Sequence, residues 1–245
     1  MEVGPRRTRI AGIMAAGRGD RLSALSKSKP LTVIGGTTLL DQVFRQCLEA
    51  GIDQVTIVIR SDDRQLEDHI RNDKQFIGGI QIVHVAPKGG TGASLHALAR
   101  NIGFNPCLIS TADTIAPPGA YRRLVEYAGK LSPEPVGVVM ATHYVRDESP
   151  IWIVSDGESH VRTMGKGIEA SGIVFGNVRW LSAAGCHLIA SMTVDHNQRD
   201  MLIMEALLQR ADAVVKVYVE DPIFDIDDPS DVEAAACWLR EHRWQ

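Results

Sequence analysis

Apolar runs alternate with helical stripes over the first half of the chain. Ile10 to Ala15 is a continuous apolar run ending in a glycine-rich turn, the pattern of a buried strand. Leu39, Leu40, Val43, Phe44, Cys47 and Leu48 then recur at the spacing of one helix face. Thr38 can cap the start of that helix and Gly51 can end it. Val55 to Ile59 and Ile80 to Val85 predict two more strands, with a polar helix around Leu66 to Ile70 between them. Leu95, Leu98, Ala99 and Ile102 form the next helical stripe. Cys107 to Ile109 is a short strand running into Ser110-Thr111-Ala112-Asp113, and Leu124, Val125, Ala128 and Leu131 mark a further helix. Strands alternating with crossover helices predict an α/β fold, a mostly parallel sheet with helices on both faces. Ligands of such sheets bind beyond the carboxyl ends of the strands. The glycine loop after the first strand and Asp113 both fall on that edge.

The second half has a different texture. Val136 to Thr142, Ile151 to Ser155 and Val161 to Met164 read as strands, with Ser171 to Phe175 as a further candidate. A helix around Met201 to Leu208, a strand from Val214 to Val219 and a last helix carrying Val232, Ala235, Ala236 and Leu239 complete the chain. The seam between the halves is expected near Pro133 to Pro135.

Composition narrows the function classes. The chain has 245 residues, 44% hydrophobic, with a formal net charge of -4 and no long basic run. Neither a nucleic-acid nor a membrane partner is expected, and the opening apolar stretch is too short and glycine-rich for a signal peptide. A soluble, cytoplasmic protein is the expectation, with homo-oligomerisation left open. Cys47, Cys107, Cys186 and Cys237 form no metal-binding spacing and read as buried reduced thiols. His84, His96, His143, His187 and His196 likewise lack ligand spacing, and Trp152, Trp180 and Trp238 read as core or interface residues.

The strongest chemical feature is Ala15-Ala16-Gly17-Arg18-Gly19-Asp20-Arg21, followed by Lys29-Pro30-Leu31. Glycines let the backbone turn tightly and present N–H groups to phosphate oxygens. Arg21 adds a fork of donors and Lys29 a compact charge, the set an NTP requires. No Gly-Lys-Ser or Gly-Lys-Thr follows, so the loop is not a P-loop. Leu22 stands where a dinucleotide fingerprint needs its third glycine. Asp113 and the acidic run Asp225-Ile226-Asp227-Asp228 suit a magnesium ion, which commonly takes one or two carboxylates plus phosphate oxygens. Helix capping is the competing account of Asp113, and of Asp228 or Ser230 at the last helix.

These motifs together resemble the signature of the sugar-phosphate nucleotidylyltransferase superfamily, a LAAGxGxR pattern followed by PKPL. The resemblance continues through Gly35-Gly36-Thr37-Thr38-Leu39-Leu40, Gly90-Thr91-Gly92-Ala93, Asp113, Gly165-Lys166-Gly167 and Asp225-Ile226-Asp227-Asp228-Pro229. It implies a Rossmann-like nucleotide-diphospho-sugar transferase fold. An NTP-binding half, residues 1–132, would be followed by a smaller β-rich acceptor half and C-terminal helix, residues 133–245. It implies that Gly17, Gly19 and Arg21 hold the triphosphate, with the Ala15 and Ala16 backbone near the base and Lys29 steadying the phosphates. Gly90 and Thr91 would line the base pocket, Gly92 replacing the usual alanine. Asp113 would bind Mg²⁺, with Asp225 or Asp227 as the second ligand, and Lys166 would grip the acceptor's phosphate. The Gly-Lys-Gly form is similar to phosphocholine- and inositol-phosphate-type cytidylyltransferases and tilts the expectation toward CTP, with UTP, GTP and dTTP open.

The implied reaction transfers NMP from an NTP to a small phosphorylated acceptor and releases pyrophosphate, as in nucleotide-sugar biosynthesis. A phosphomonoester is already largely dianionic near neutral pH, so no side-chain base is needed. Two rival readings are a nucleotide-binding regulatory subunit without turnover and a GT-A-like glycosyltransferase. Against the second, Asp113 has no acidic neighbour to form a local Asp-x-Asp motif.

Overall fold

The computed structural model describes residues 8–72, 78–168 and 171–242. Strand β1 (Ile10–Met14) is followed by two 3-10 turns, Asp20–Leu22 and Lys29–Leu31, and a small hairpin, β2 (Val33–Ile34) and β3 (Thr37–Thr38). Helix α1 (Leu39–Glu49), β4 (Gln54–Arg60), α2 (Arg64–Asn72), β5 (Ile80–Val85), α3 (Thr91–Ile102) and β6 (Cys107–Thr111) then alternate. Next come β7 (Thr114–Ile115) and α4 (Ala120–Ala128). The second half contributes β8 (Gly137–Thr142), β9 (Trp152–Ser155), β10 (Val161–Gly165), β11 (Val174–Leu181), α5 (Ala183–Ala190) and α6 (Asp200–Leu208). It ends with β12 (Val215–Val219), β13 (Phe224–Asp225) and α7 (Pro229–Glu241).

One nine-stranded sheet organises the chain, with the path β10-β9-β11-β6-β1-β4-β5 and a branch from β11 through β8 to β12. Strands β6, β1, β4 and β5 are mutually parallel, with Ile13 level with Ile57 and Ser110. Their carboxyl ends therefore share one edge. Strand β11 runs antiparallel to β6, so the second half extends the same sheet.

Successive residues of β1 point to opposite faces. Ala11 and Ile13 pack with Val43 and Phe44 of α1 and Leu124 of α4. Met14 packs on the other face with Leu95 and Leu98 of α3 and Ile189 of α5. Gly12 lets α3 lie close: a Cβ there would stand 3.1 Å from Ile102 Cδ1 and 3.2 Å from Leu98 Cδ1. The Thr38 side chain caps α1 by accepting from the Asp41 N–H at 3.1 Å, and Gly51 follows with φ 78°. A separate apolar cluster joins Leu22, Ile34 and Leu39 to Ile115, Phe224, Ile226, Ala235 and Leu239. It docks the last helix onto the segment from Leu22 to Leu39.

Several elements differ from the expectations. The strand placed at Ser171 to Phe175 runs instead from Val174 to Leu181, and α5 was not anticipated at all. Helix α4 ends at Ala128, because Gly129 follows and the chain turns. Leu131 lies beyond it and still packs on the core. Cys237 is exposed, whereas Cys47, Cys107 and Cys186 are buried. The Cys107 and Cys186 sulfurs, 79 residues apart in sequence, lie 3.2 Å from one another. Trp180 is buried and its Nε1–H donates to Thr8 Oγ1 at 2.8 Å, whereas Trp152 and Trp238 are half-buried. Among the described residues no helix is long and apolar enough to cross a membrane.

Overpacking the β1–α3 contact tests this arrangement. Gly12→Val is expected to cost about 1–3 kcal/mol, read as a lower urea midpoint at unchanged slope. An unchanged midpoint contradicts the close approach.

Candidate active site

The glycine loop leaves β1 at the parallel edge. Ala15 is buried and its N–H donates to Val58 O at 2.8 Å; Ala16 is half-buried, and neither lines the cavity. Gly19 adopts φ 66°, and a Cβ there would stand 2.4 Å from Lys29 Cβ. Backbone conformation and space therefore both demand glycine. The Lys29 stem lies across it. Gly17 keeps its place through its carbonyl, which accepts from Arg60 Nη1 at 2.8 Å. Arg60 is buried at the end of β4 and pairs with Asp62 and Asp63, and Asp63 accepts from Ser28 Oγ at 2.8 Å. This support, drawn from three segments, carried no local sequence signal.

Lys29 enters the cavity from its 3-10 turn with a side chain only 7% exposed. Its Nζ lies 2.6 Å from Asp113 Oδ2 and 2.6 Å from Asp227 Oδ1. Arg21 Nη2 reaches Asp227 Oδ2 at 2.9 Å. Two short strands bring the acids together: β13 pairs with β7, setting Asp225 level with Thr114, and the Ile226 N–H donates to Asp113 O at 3.1 Å. One oxygen from each of Asp113, Asp225 and Asp227 lies within 4.8 Å of the others. Asp228 does something different. Its side chain accepts from the Ser230 and Asp231 N–H groups, and Asp231 reciprocates in a capping box for α7. The capping account holds for Asp228, while Asp225 and Asp227 join Asp113 in the carboxylate cluster.

The electrostatics follow from this crowding. Burial disfavours the Lys29 charge, but Asp113, Asp225 and Asp227 outweigh it and hold the ammonium above the usual lysine range. Burial pushes the Asp225 carboxyl well above the carboxylate range, and the neighbouring Asp113 charge adds to the effect. Burial acts the same way on Asp227, but Lys29 and Arg21 overcome it and keep that carboxyl low. Asp113 Oδ1 is buried with no hydrogen-bond partner among the described residues. A free carboxylate oxygen beside two more carboxylates is the hard-oxygen donor set that a divalent cation such as Mg²⁺ takes. The residues present fit such an ion.

Gly90 and Thr91 form the neighbouring wall at the start of α3. The Gly90 and Gly92 N–H groups donate to His196 O and Gln198 O, each at 2.8 Å. A Cβ at Gly92 would stand 2.7 Å from Gln198 O, which is why alanine does not serve here. Thr91 Oγ1 donates to Asp200 Oδ1 at 2.8 Å, and Asp200 is ion-paired to Arg179, itself 1% exposed. Burial works against the Asp200 charge, but Arg179 keeps its carboxyl low. At the far end Lys166 follows β10 and donates to Ser149 Oγ at 2.9 Å.

One cavity of about 830 Å³ joins these parts. Gly17, Gly19, Arg21, Lys29, Gly90, Thr91, Asp113, Lys166, Asp225 and Asp227 all line it. The loop from Tyr144 to Ile151, with Asn177, Arg199 and Asp200, lines it too and was not foreseen. His143 and His84 lie outside it, paired with Asp221 at 2.7 Å and Glu67 at 3.1 Å.

The fold has known counterparts. The chain is similar in fold to the inositol-1-phosphate CTP transferase from T. maritima, with a TM-score of 0.81, 17% identity and 96% of both chains covered. A UDP-glucose pyrophosphorylase complexed with UDP-glucose gives a TM-score of 0.78 and 15% identity over 96% of this chain and 100% of the other. HddC from Yersinia pseudotuberculosis gives 0.74 and 18% over 95% and 100%. Residues 11–166, more than half of the chain, match the family model of the MobA-like NTP transferase domain. The chain belongs to that family of MobA-like NTP transferase domains and is a nucleotidyltransferase.

Proposed function

We propose that this enzyme transfers NMP from an NTP to a small phosphorylated acceptor, such as a sugar 1-phosphate or an alcohol phosphate, and releases pyrophosphate. One observation carries the reading. A nearly buried lysine packed over a glycine loop contacts two of three clustered carboxylates, at 2.6 Å each, inside a cavity that also contains Lys166. The inositol-1-phosphate CTP transferase among the similar folds makes CTP the first donor to test.

The attacking group is an oxygen of the acceptor's phosphate, which needs no protein base near neutral pH. Catalysis is then alignment and charge neutralisation around the α-phosphorus. The loop from Gly17 to Arg21 receives the triphosphate, with Gly90 and Thr91 beside the base. Arg21 and Lys29 neutralise charge building on the departing pyrophosphate. To do so they loosen their grip on Asp227 as the nucleotide enters. Asp113, Asp225 and Asp227 would hold Mg²⁺. That ion would supply positive charge that offsets the negative charge of the phosphates. Lys166 holds the acceptor's phosphate from the opposite side. The first 132 residues then serve mainly the nucleotide, and the rest mainly the acceptor.

Three outcomes are expected. A thermal-shift screen of NTPs with MgCl₂ should show one nucleotide raising Tm most, with a smaller shift in EDTA. Saturation to 100 times Kd corresponds to about 2.7 kcal/mol. No shift with any NTP would count against the reading. Lys29→Ala and Asp113→Asn should each slow pyrophosphate release by about 100-fold or more with an unchanged circular dichroism spectrum. Near-normal turnover in Asp113→Asn would remove the metal assignment. Lys166→Ala should raise the acceptor KM about tenfold and leave the KM for NTP unchanged. A rise in both would move Lys166 away from the acceptor.

A further inference from the structure

Strand β11 is buried along its length and interrupted once. Its pairing with β8 shifts register between Phe175 and Arg179. Inside that bulge Asn177 adopts φ 60°, the left-handed region that residues other than glycine seldom enter. Asparagine enters it with least reluctance among side chains that carry polar groups. Bulges re-aim a side chain, and they recur beside active sites.

The flanking residues anchor the bulge. Phe175 packs in the apolar cluster of the second half, and Val178 in that of the first. Gly176 lies against Ile223, since a Cβ there would stand 2.5 Å from Ile223 Cδ1. Asn177 is thereby set on the cavity wall with Asp225 of β13, a strand that packs against β11, and the Asn177 side chain acts against burial to lower the proton affinity of the Asp225 carboxyl. Asp225 is the carboxylate that needs such a partner. Lys29 contacts Asp113 and Asp227, and Arg21 contacts Asp227, but no ion pair reaches Asp225 among the described residues.

We propose that Asn177 is a positioning residue: its amide N–H orients Asp225 so that this carboxylate joins Asp113 and Asp227 in holding the divalent cation. The proposal rests on the metal reading given under Proposed function. Outer partners of metal-binding carboxylates fix ligand orientation, and their loss typically weakens metal affinity ten- to hundredfold.

Asn177→Gly provides the test, because glycine adopts the same left-handed backbone and removes only the amide. Mn²⁺ binding is followed by electron paramagnetic resonance in the presence of CTP, or of whichever NTP gives the largest thermal shift. Nucleotide affinity is measured separately in EDTA. The expected result is Mn²⁺ binding weakened about tenfold or more, with the metal-free nucleotide affinity and the urea midpoint unchanged. Turnover should return toward the wild-type value at saturating Mn²⁺. An Mn²⁺ affinity within about twofold of wild type overturns the proposal. So does a joint loss of Mn²⁺ affinity, metal-free nucleotide affinity and urea midpoint, which marks a structural role. Wild-type protein that binds no Mn²⁺ with any NTP overturns the metal reading itself, and the Asn177 proposal with it.

Discussion

Three carboxylates within 4.8 Å of one another repel, and burial sharpens the repulsion because water no longer screens it. The Lys29 ammonium, set between Asp113 and Asp227, offsets that repulsion in the folded chain. Arg21 adds a second positive group on Asp227. Asp225, left without a cation in contact, is the carboxyl whose proton affinity burial raises most plainly. The arrangement sets three carboxylates against two basic side chains, which suits the proposed binding of a divalent cation with a polyanionic nucleotide.

Much of the fold serves to make that meeting possible. The parallel strands place the glycine loop and Asp113 on one edge. The apolar cluster around Leu22, Phe224 and Leu239 returns the C-terminal helix to the first loop, carrying Asp225 and Asp227 across about 200 residues of chain. Glycine supplies the closest approaches. Gly19 lies under the Lys29 stem, and Gly90 and Gly92 let the segment from His196 to Gln198 seat on the start of α3. That segment belongs to the second half, so both halves build the wall beside the predicted base pocket.

The parts legible in the sequence were those with a local signal. The run from Ala15 to Arg21, the Lys-Pro-Leu tail and the parallel α/β alternation are patterns within short windows. Helix α1 was readable down to its Thr38 cap. Strand β11 was not, because Arg179 and Asn177 interrupt an apolar run that the fold buries anyway. The charge of Arg179 is met by Asp200 from another helix, and the bulge at Asn177 has no local marker. Helix α5 escaped because Ala183 to Ala190 has almost no polar face to set a period. The sequence offers Asp228 or Ser230 as the cap of the last helix, and the capping box with Asp231 gives that place to Asp228. The Tyr144–Ile151 wall joins the site by topology alone.

The central claim is that the Lys29-bridged carboxylates and the glycine loop form one site for a metal-bound triphosphate. Anomalous diffraction from crystals grown with Mn²⁺ and a non-hydrolysable NTP analogue tests it most directly. The account predicts a manganese peak among Asp113, Asp225 and Asp227, with the triphosphate lying along Gly17 to Arg21 and Lys29 drawn onto it. A peak elsewhere, or a triphosphate bound away from that loop, would contradict it.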